Sequence, residues 1–418
     1  MFNFGSTRVA VVGGGPVGLV TAVSLQRMGC AVTLFSGEKR KPDPARPRAL
    51  FLWTSALRAL AACHRGLPAP NLAQEIEACG VRIERLDIHA WSGARLSSLP
   101  LGALGRSLAQ PTIVVEPEAL QTTLTPLFVG NMVHRDLHAG EIEPGSWSRF
   151  HVAGHEPFDL MLVATGRESP FRVLIQDEPS AQRPAFQDAF VGVCSSSDAA
   201  PSRRLPSGTS LTVLGSRLRI WLTPVKRGIA WYACVKRESG SQGPRVWDLP
   251  GLRRLFDTSH PLVREVLWAS DPQDTGRIAI SDVPPTRPWV RGGLALLGDA
   301  AHAPTPDLGF GACLGIEGAM TLVSRIERAA AAPLKPDESP DWADALRQYE
   351  ARHFPRAQRL VELSRAAALL SMPESRMEDA LRDLVTARLF GGLATDDLRH
   401  ILAYEAYEAY EAYEARSA

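Results

Sequence analysis

The chain has little lysine: five residues against 41 arginines, in 418. With abundant alanine, proline and glycine, that ratio resembles translation of a GC-rich bacterial gene. An excess of either charge is missing too. Forty-six basic and 45 acidic residues leave a formal net charge of +1, which argues against nucleic acid or an anionic membrane surface as partner. Cysteine pairing is absent. Cys30, Cys63, Cys79, Cys194, Cys234 and Cys313 show no CxxC or disulfide-like spacing, so they read as reduced thiols of a cytoplasmic protein. No apolar run reaches the ~20 residues of a membrane span. The uncharged stretch 9–25 imitates a signal peptide, but three consecutive glycines and Pro16 break it and it lacks a small-residue cleavage site. There is no Gly-x-Ser-x-Gly elbow for acyl transfer. His134 with His138, and His151 with His155, have a spacing that suits a metal on a helix. Neither has cysteines or paired carboxylates nearby, so no metal is expected.

Glycine is what the chain does have, in two places. Gly13-Gly14-Gly15-Pro16-Val17-Gly18 follows the apolar run Val9–Val12. Gly298-Asp299-Ala300-Ala301-His302 follows Leu294–Leu297 and leads to Pro306, Gly309, Phe310, Gly311 and Ala312. In the first segment a strand feeds a tight turn at Gly13. Gly15 lets the main chain approach a pyrophosphate, and Gly18 lets the next helix pack on the strand. Pro16 is pre-set for the first helical turn, whose amides and dipole face the phosphates. The helix runs to about Met28, and Ala31–Phe35 completes a βαβ unit. The two segments together read as the two ends of one flavin dinucleotide site.

The remaining pattern divides the chain. Residues 1–80, 116–182 and 291–332 read as three parts of a Rossmann-like, parallel-sheet FAD-binding domain. Residues 81–115 and 183–290 read as strands of an antiparallel-sheet substrate domain inserted into it. Three strands are expected in the latter, Ser210–Leu214, Arg217–Thr223 and Ile229–Lys236. Residues 333–402 read as C-terminal helices, roughly 341–371 and 373–402, and 403–418 as a tail of four Ala-Tyr-Glu units. That tail holds Tyr404, Tyr407, Tyr410 and Tyr413, four of the six tyrosines. On an α-helix a three-residue period spirals instead of forming a stripe, so a frayed or helical repeat is expected, with a docking tail as the alternative.

The α/β pattern from residue 7 to about 370 resembles the class A flavoprotein monooxygenases, the para-hydroxybenzoate hydroxylase-like family. Three motifs carry the resemblance: Gly13–Gly18, Asp159–Arg172 around Thr165-Gly166, and Gly298 through Ala319. Trp289-Val290-Arg291 and Tyr349-Glu350-Ala351-Arg352 flank the third as in that family. The resemblance implies FAD, with NADPH or NADH as electron donor, and a reduced flavin that forms a C4a-hydroperoxide with O2. One oxygen atom then goes to an aromatic or otherwise electron-rich small molecule, in bacterial secondary metabolism or aromatic catabolism. The flavin performs the chemistry, and no protein catalytic dyad is expected. Asp299 is expected on the ribityl chain, Pro306 and the Gly309–Gly311 backbone along the ring, and Arg48 near the pyrophosphate and nicotinamide path. His302 is expected as a packed residue of its motif.

Departures from the family pattern are specific. Ser36 stands where a ribose-binding glutamate is usual, with Glu38 two residues on, so either side chain fits that role. Thr165 replaces the central aspartate, and Phe310 and Cys313 replace an amide-bearing pair. These changes leave room for a same-fold flavoenzyme fed by a partner flavin reductase, for a dehydrogenase, or for a non-catalytic flavin-binding accessory protein. A flavin halogenase is disfavoured, because its Trp-x-Trp-x-Ile-Pro motif is absent. Arg219 and Trp221 share one face of their strand and are candidate substrate contacts. A solvated arginine ladder is equally compatible with that pattern. Nothing in the sequence specifies an oligomeric state.

Overall fold

A run such as Val9-Ala10-Val11-Val12 has no polar face, so it is stable only in a sheet covered on both sides. In the computed structural model it forms the strand β1 (Arg8–Val12), whose Val9, Ala10 and Val11 are fully buried. The structure describes residues 7–37, 46–63, 71–144, 147–178, 181–195, 204–237, 248–332, 339–389 and 393–407. Glu38 and the tail from residue 408 lie outside them.

Pro16 at the first helical position opens α1 (Pro16–Arg27), and β2 (Ala31–Phe35) returns parallel to β1. Then come β3 (Leu50–Leu52), α2 (Thr54–Cys63) and α3 (Leu72–Cys79), the last capped by Asn71 Oδ1 accepting from the Ala73 N–H at 2.9 Å. Residues 81–115 do not act as one unit. β5 (Arg85–Ala90) and β6 (Arg95–Leu99) form a hairpin, whereas β7 (Ile113–Val115) pairs with both β3 and β4 (Val81–Arg82) in a separate three-stranded sheet. Between them lies an unforeseen helix, α4 (Leu101–Ser107). After α5 (Pro117–Leu124) and β8 (Asn131–Val133), a small hairpin of β9 (Glu143–Pro144) and β10 (Phe150–His151) precedes β11 (Leu160–Val163).

The stretch 183–290 holds five strands, not the three expected: β12 (Arg183–Ser195), β13 (Thr209–Gly215), β14 (Leu218–Val225), β15 (Gly228–Lys236) and β16 (Gly276–Asp282). A register shift between Pro184 and Asp188, with Phe186 at φ +53°, breaks the alternation that would have revealed β12. Helices α6 (Leu249–Leu255) and α7 (Pro261–Ala269) follow β15. The sheet runs β16-β12-β15-β14-β13-β5-β6 and is not wholly antiparallel, because β13 and β5 are parallel.

The chain then re-enters the first sheet through β17 (Val290–Arg291) and β18 (Leu294–Leu296), giving the order β17-β18-β11-β1-β2-β8. Helix α8 (Gly311–Ala331) packs over it, and α9 (Trp342–Leu370) packs on α8. The expected helix over 373–402 is two, α10 (Arg376–Leu389) and α11 (Leu393–Leu402), and residues 404–407 lie outside any helix or strand.

One large core unites the parallel sheet with α1, α2, α8 and α9. A second lies between the big sheet and α6–α7, where Leu218, Ile220 and Leu222 meet Leu252, Phe256, Val263, Val266 and Leu267. This settles the orientation of β14. Its aliphatic face is taken by helices, so Arg219, Trp221 and Thr223 turn the other way.

Candidate active site

The carboxyl ends of β1, β2, β11 and β18 lie along one edge of the parallel sheet, where open α/β sheets bind ligands. Gly13 leaves β1 at φ +116°, which L side chains rarely adopt, and its N–H donates to Phe35 O at 2.8 Å. A Cβ on Gly18 would overlap the Gly13 carbonyl oxygen, and one on Gly14 would overlap Ser36 Oγ. Val17 lies against both Gly298 and Gly315, so the two glycine-rich segments meet through its methyl groups. Ser36 therefore sits at the turn.

The cradle has an open side. A Cβ on Gly15 would meet nothing within 4 Å. The helix behind it has no capping side chain and no acidic residue in its first turn, so its leading amides lack an anionic partner of their own. Helix α8 starts in the same way at Gly311, with Phe310 as an N-cap that offers no side-chain hydrogen bond. Two bare helix starts at one sheet edge suit a ligand with a diphosphate at one end and a carbonyl-bearing ring at the other. FAD has that form, and the residues fit it.

Asp299 is held between the two. Burial pushes its carboxyl up, and Arg167 and Arg172 pull it back. Arg172 fixes the local backbone, with Nε donating to Ala300 O and Nη2 to Asp299 O, both at 2.8 Å. Arg167 Nη1 donates to Ser281 O at 2.7 Å and ties this edge to β16. The Thr165 hydroxyl donates to Ser169 Oγ at 2.7 Å, next to Gly166 at φ +87°. Arg48 Nη2 donates to the Asp274 carbonyl at 2.9 Å, linking the approach to β3 with the loop before β16.

Pro306 opens a single 3₁₀ turn that ends at Gly309. Trp53 Nε1 donates to Leu308 O at 3.1 Å and its ring stacks on Phe310 at 5.4 Å. The Phe310 ring is thus occupied by Trp53. Cys313 Sγ accepts from the Trp53 N–H at 3.1 Å, so it too has a structural partner. His302 is packed between Trp289 and His353, with ring centroids 5.2 and 5.3 Å away, and burial pushes its imidazole down to about 3.

Arg219 is not on a solvated ladder. It is 2% exposed, ion-paired to Asp307, hydrogen-bonded to Cys234 Sγ at 3.3 Å and stacked on Trp221 at 4.7 Å. Burial alone would lower its pKa, but Asp307 and Cys234 more than reverse that. Tyr232, beside Trp221 on the adjacent strand, is raised well above its ordinary value by burial. Among the described residues, three buried atoms here lack a hydrogen-bond partner of good geometry: Arg219 Nε, Asp307 Oδ2 and Tyr232 Oη. Sequence reasoning missed Asp307 and Tyr232. The available signals were Asp307 lying inside the Pro306–Gly309 turn and Tyr232 being one of two tyrosines outside the tail.

Residues 6–178 and 254–364, more than half of the chain, match the FAD binding domain family. The chain is 29% identical over 364 residues to an FAD-dependent urate hydroxylase of Klebsiella oxytoca, covering 85% of this chain and 88% of that protein. It is 26% identical to the aurachin C monooxygenase/isomerase of Stigmatella aurantiaca, covering 84% and 85%. The crystal structure of Klebsiella pneumoniae HpxO complexed with FAD and uric acid superposes with a TM-score of 0.78 at 22% identity, over 96% of this chain and 98% of that one. A salicylate hydroxylase substrate complex gives 0.71 at 19%, over 97% and 100%. At those identities the structures speak for the fold. With the family match and the two helix starts meeting through Val17, the chain belongs to the FAD binding domain family and is a class A FAD-dependent monooxygenase.

Proposed function

We propose that this monooxygenase hydroxylates a planar, electron-rich nitrogen heterocycle of the oxopurine type, held at Arg219, Asp307 and Tyr232. The observation that carries this reading is the set of unpartnered buried atoms at that ion pair. Buried polar groups are rarely left unpaired, so unpaired groups that gather at one place mark a ligand. Asp307 Oδ2 accepts, and Arg219 Nε and Tyr232 Oη donate. A ring with both N–H and carbonyl edges answers all three at separate atoms, whereas a simple phenol must meet them through one hydroxyl. The urate hydroxylase relatives agree with this chemistry.

FAD, when bound, supplies O2 activation and delivery of one oxygen atom. The chain supplies the rest. The Gly13–Gly18 turn and the start of α1 hold the diphosphate, Ser36 or Glu38 the ribose, and Asp299 the ribityl hydroxyls. The amides at 309–311 stabilise negative charge on the ring's carbonyl edge. Pro306, Gly166 and Ala312 line its surroundings, and Trp53 and Phe310 keep the site dry. Tyr232 stays a donor because burial keeps its phenol protonated. Arg48 serves the path of NADPH or NADH, the expected electron donor.

The test is substrate-stimulated NAD(P)H oxidation with urate and with salicylate as probes. Urate is expected to stimulate. Arg219→Gln and Tyr232→Phe are each expected to weaken urate binding about ten- to hundredfold, since a hydrogen bond in a buried charged network is worth about 1.5–3 kcal/mol. Stimulation by salicylate but not urate, unaffected by either change, would overturn the substrate reading.

A further inference from the structure

The chain's last described residues do not fray. Leu402 and Ala406 are buried, Tyr407 is 8% exposed, and the segment 404–407, outside helix and strand, lies against α2, α8 and α9. Each position has its own partner. The Tyr404 ring lies under Arg356 at 4.5 Å and Arg352 at 6.0 Å. Glu405 O accepts from Arg352 Nη2 at 3.0 Å, and its carboxylate lies 3.6 Å from Arg58. Ala406 O accepts from Thr321 Oγ1 at 3.0 Å, and the Tyr407 hydroxyl donates to Glu327. The groove takes a small buried residue at 406 and flat rings at 404 and 407, while the exposed Glu405 side chain adds a long ion pair to Arg58. The groove therefore reads Tyr-Glu-Ala-Tyr, a motif that the tail repeats in sequence at 404–407, 407–410 and 410–413.

The groove also leads inward. Arg356, on which Tyr404 stacks, makes a two-pronged ion pair with Glu317 at 3.0 and 3.1 Å, and Glu317 is fully buried in α8. The same guanidinium lies 5.9 Å from the Phe310 ring, which stacks on Trp53. Tyr404 thus supports, through one arginine, the turn and helix start assigned above to the flavin ring.

We infer that this groove is a recognition site for a non-helical Tyr-Glu-Ala-Tyr segment, filled by the chain's own tail, and that its occupancy holds Arg356 and hence the 308–311 turn in place for FAD. Tyr404 and Arg356 are positioning residues. The second half of the inference rests on the flavin reading of that turn, whereas the first half does not.

The experiment uses the chain truncated after Ala403, together with synthetic Ala-Tyr-Glu-Ala-Tyr-Glu and a shuffled peptide of the same composition. The ordered peptide is expected to bind the flavin-free truncated protein in a fluorescence anisotropy titration. The shuffled peptide is not, and neither should bind the full chain. FAD affinity is expected to fall about fivefold or more on truncation, the usual scale of such coupling, and to recover when the ordered peptide is added. If truncation prevents folding, full-length Tyr404→Ala replaces it, with the same loss of FAD affinity expected and Tyr404→Phe expected to keep it. No binding of the ordered peptide, or equal binding of the shuffled one, would overturn the recognition site. Peptide binding with unchanged FAD affinity would overturn the coupling. A full-length protein that never binds FAD would instead condemn the flavin reading, and the anisotropy arm would remain readable.

Discussion

Two glycines three residues apart, Gly15 and Gly18, separate folding from binding. Gly18 is pressed against the Gly13 carbonyl, so Gly18→Val should disrupt the β1–α1 joint and lower the melting temperature of the flavin-free protein. Gly15 faces open space, so Gly15→Val should leave that melting temperature nearly unchanged while abolishing flavin retention. Calorimetry of the apoprotein with a flavin titration checks both. Equal damage to stability from the two changes would contradict the assignment. Asp299→Ala removes an acceptor whose hydrogen bonds to ligand hydroxyls are worth about 1.5–3 kcal/mol, so FAD should bind roughly ten- to hundredfold more weakly. An unchanged titration would remove Asp299 from the ribityl contact. At this scale the glycine segments were legible, because their spacing is dictated by backbone sterics. Asp307 and Tyr232 were not. Their importance depends on a contact between β14 and the turn before α8, which no local pattern encodes.

Among the elements, β14 shows how an ambiguous strand is resolved. Alternation placed Arg219 and Trp221 on one face but left open where that face looked. The answer came from α6 and α7, which claim Leu218, Ile220 and Leu222. Helix α9 carries a second consequence. His353 on α9 contacts His302, and burial holds both imidazoles well below their ordinary value near 6.5, His302 at about 3. The native protein keeps both neutral, whereas the unfolded chain protonates both as pH falls through about 6.5. The unfolded state then binds more protons, so stability must fall with falling pH. Between pH 6.5 and 5 each imidazole is expected to remove about 1.5 kcal/mol. Urea unfolding at the two pH values checks this, with His353→Gln expected to shrink the drop by about half. A wild-type stability that does not change over that interval would contradict the buried neutral pair. The division of 373–402 into α10 and α11, and the five strands in 183–290, escaped the sequence for a common reason. Breaks and bulges interrupt the periodicity on which such readings depend.

At the scale of the molecule, two sheets share one functional edge. The parallel sheet brings the cofactor segments together, and the larger sheet turns its polar face toward them. Arg219–Asp307, Arg167 with Ser281 and Arg48 with Asp274 join the two. The parallel half and its cofactor were readable from three motifs in order. The join was not, because each of its partners lies more than 80 residues away in sequence. Of the tail, residues 404–407 take the docking alternative that the sequence left open. A three-residue repeat has no helical stripe, but it needs none where it docks outside a helix.

The central claim is that this architecture delivers one atom of O2 to an organic substrate. Mass spectrometry of the product formed from urate, FAD, NAD(P)H and ¹⁸O-labelled O2 tests it directly. One labelled oxygen atom per product molecule, lost together with substrate binding in Arg219→Gln, is the predicted result. A product whose new oxygen comes from water, or NAD(P)H consumption that yields only hydrogen peroxide with every electron-rich heterocycle offered, would contradict the account.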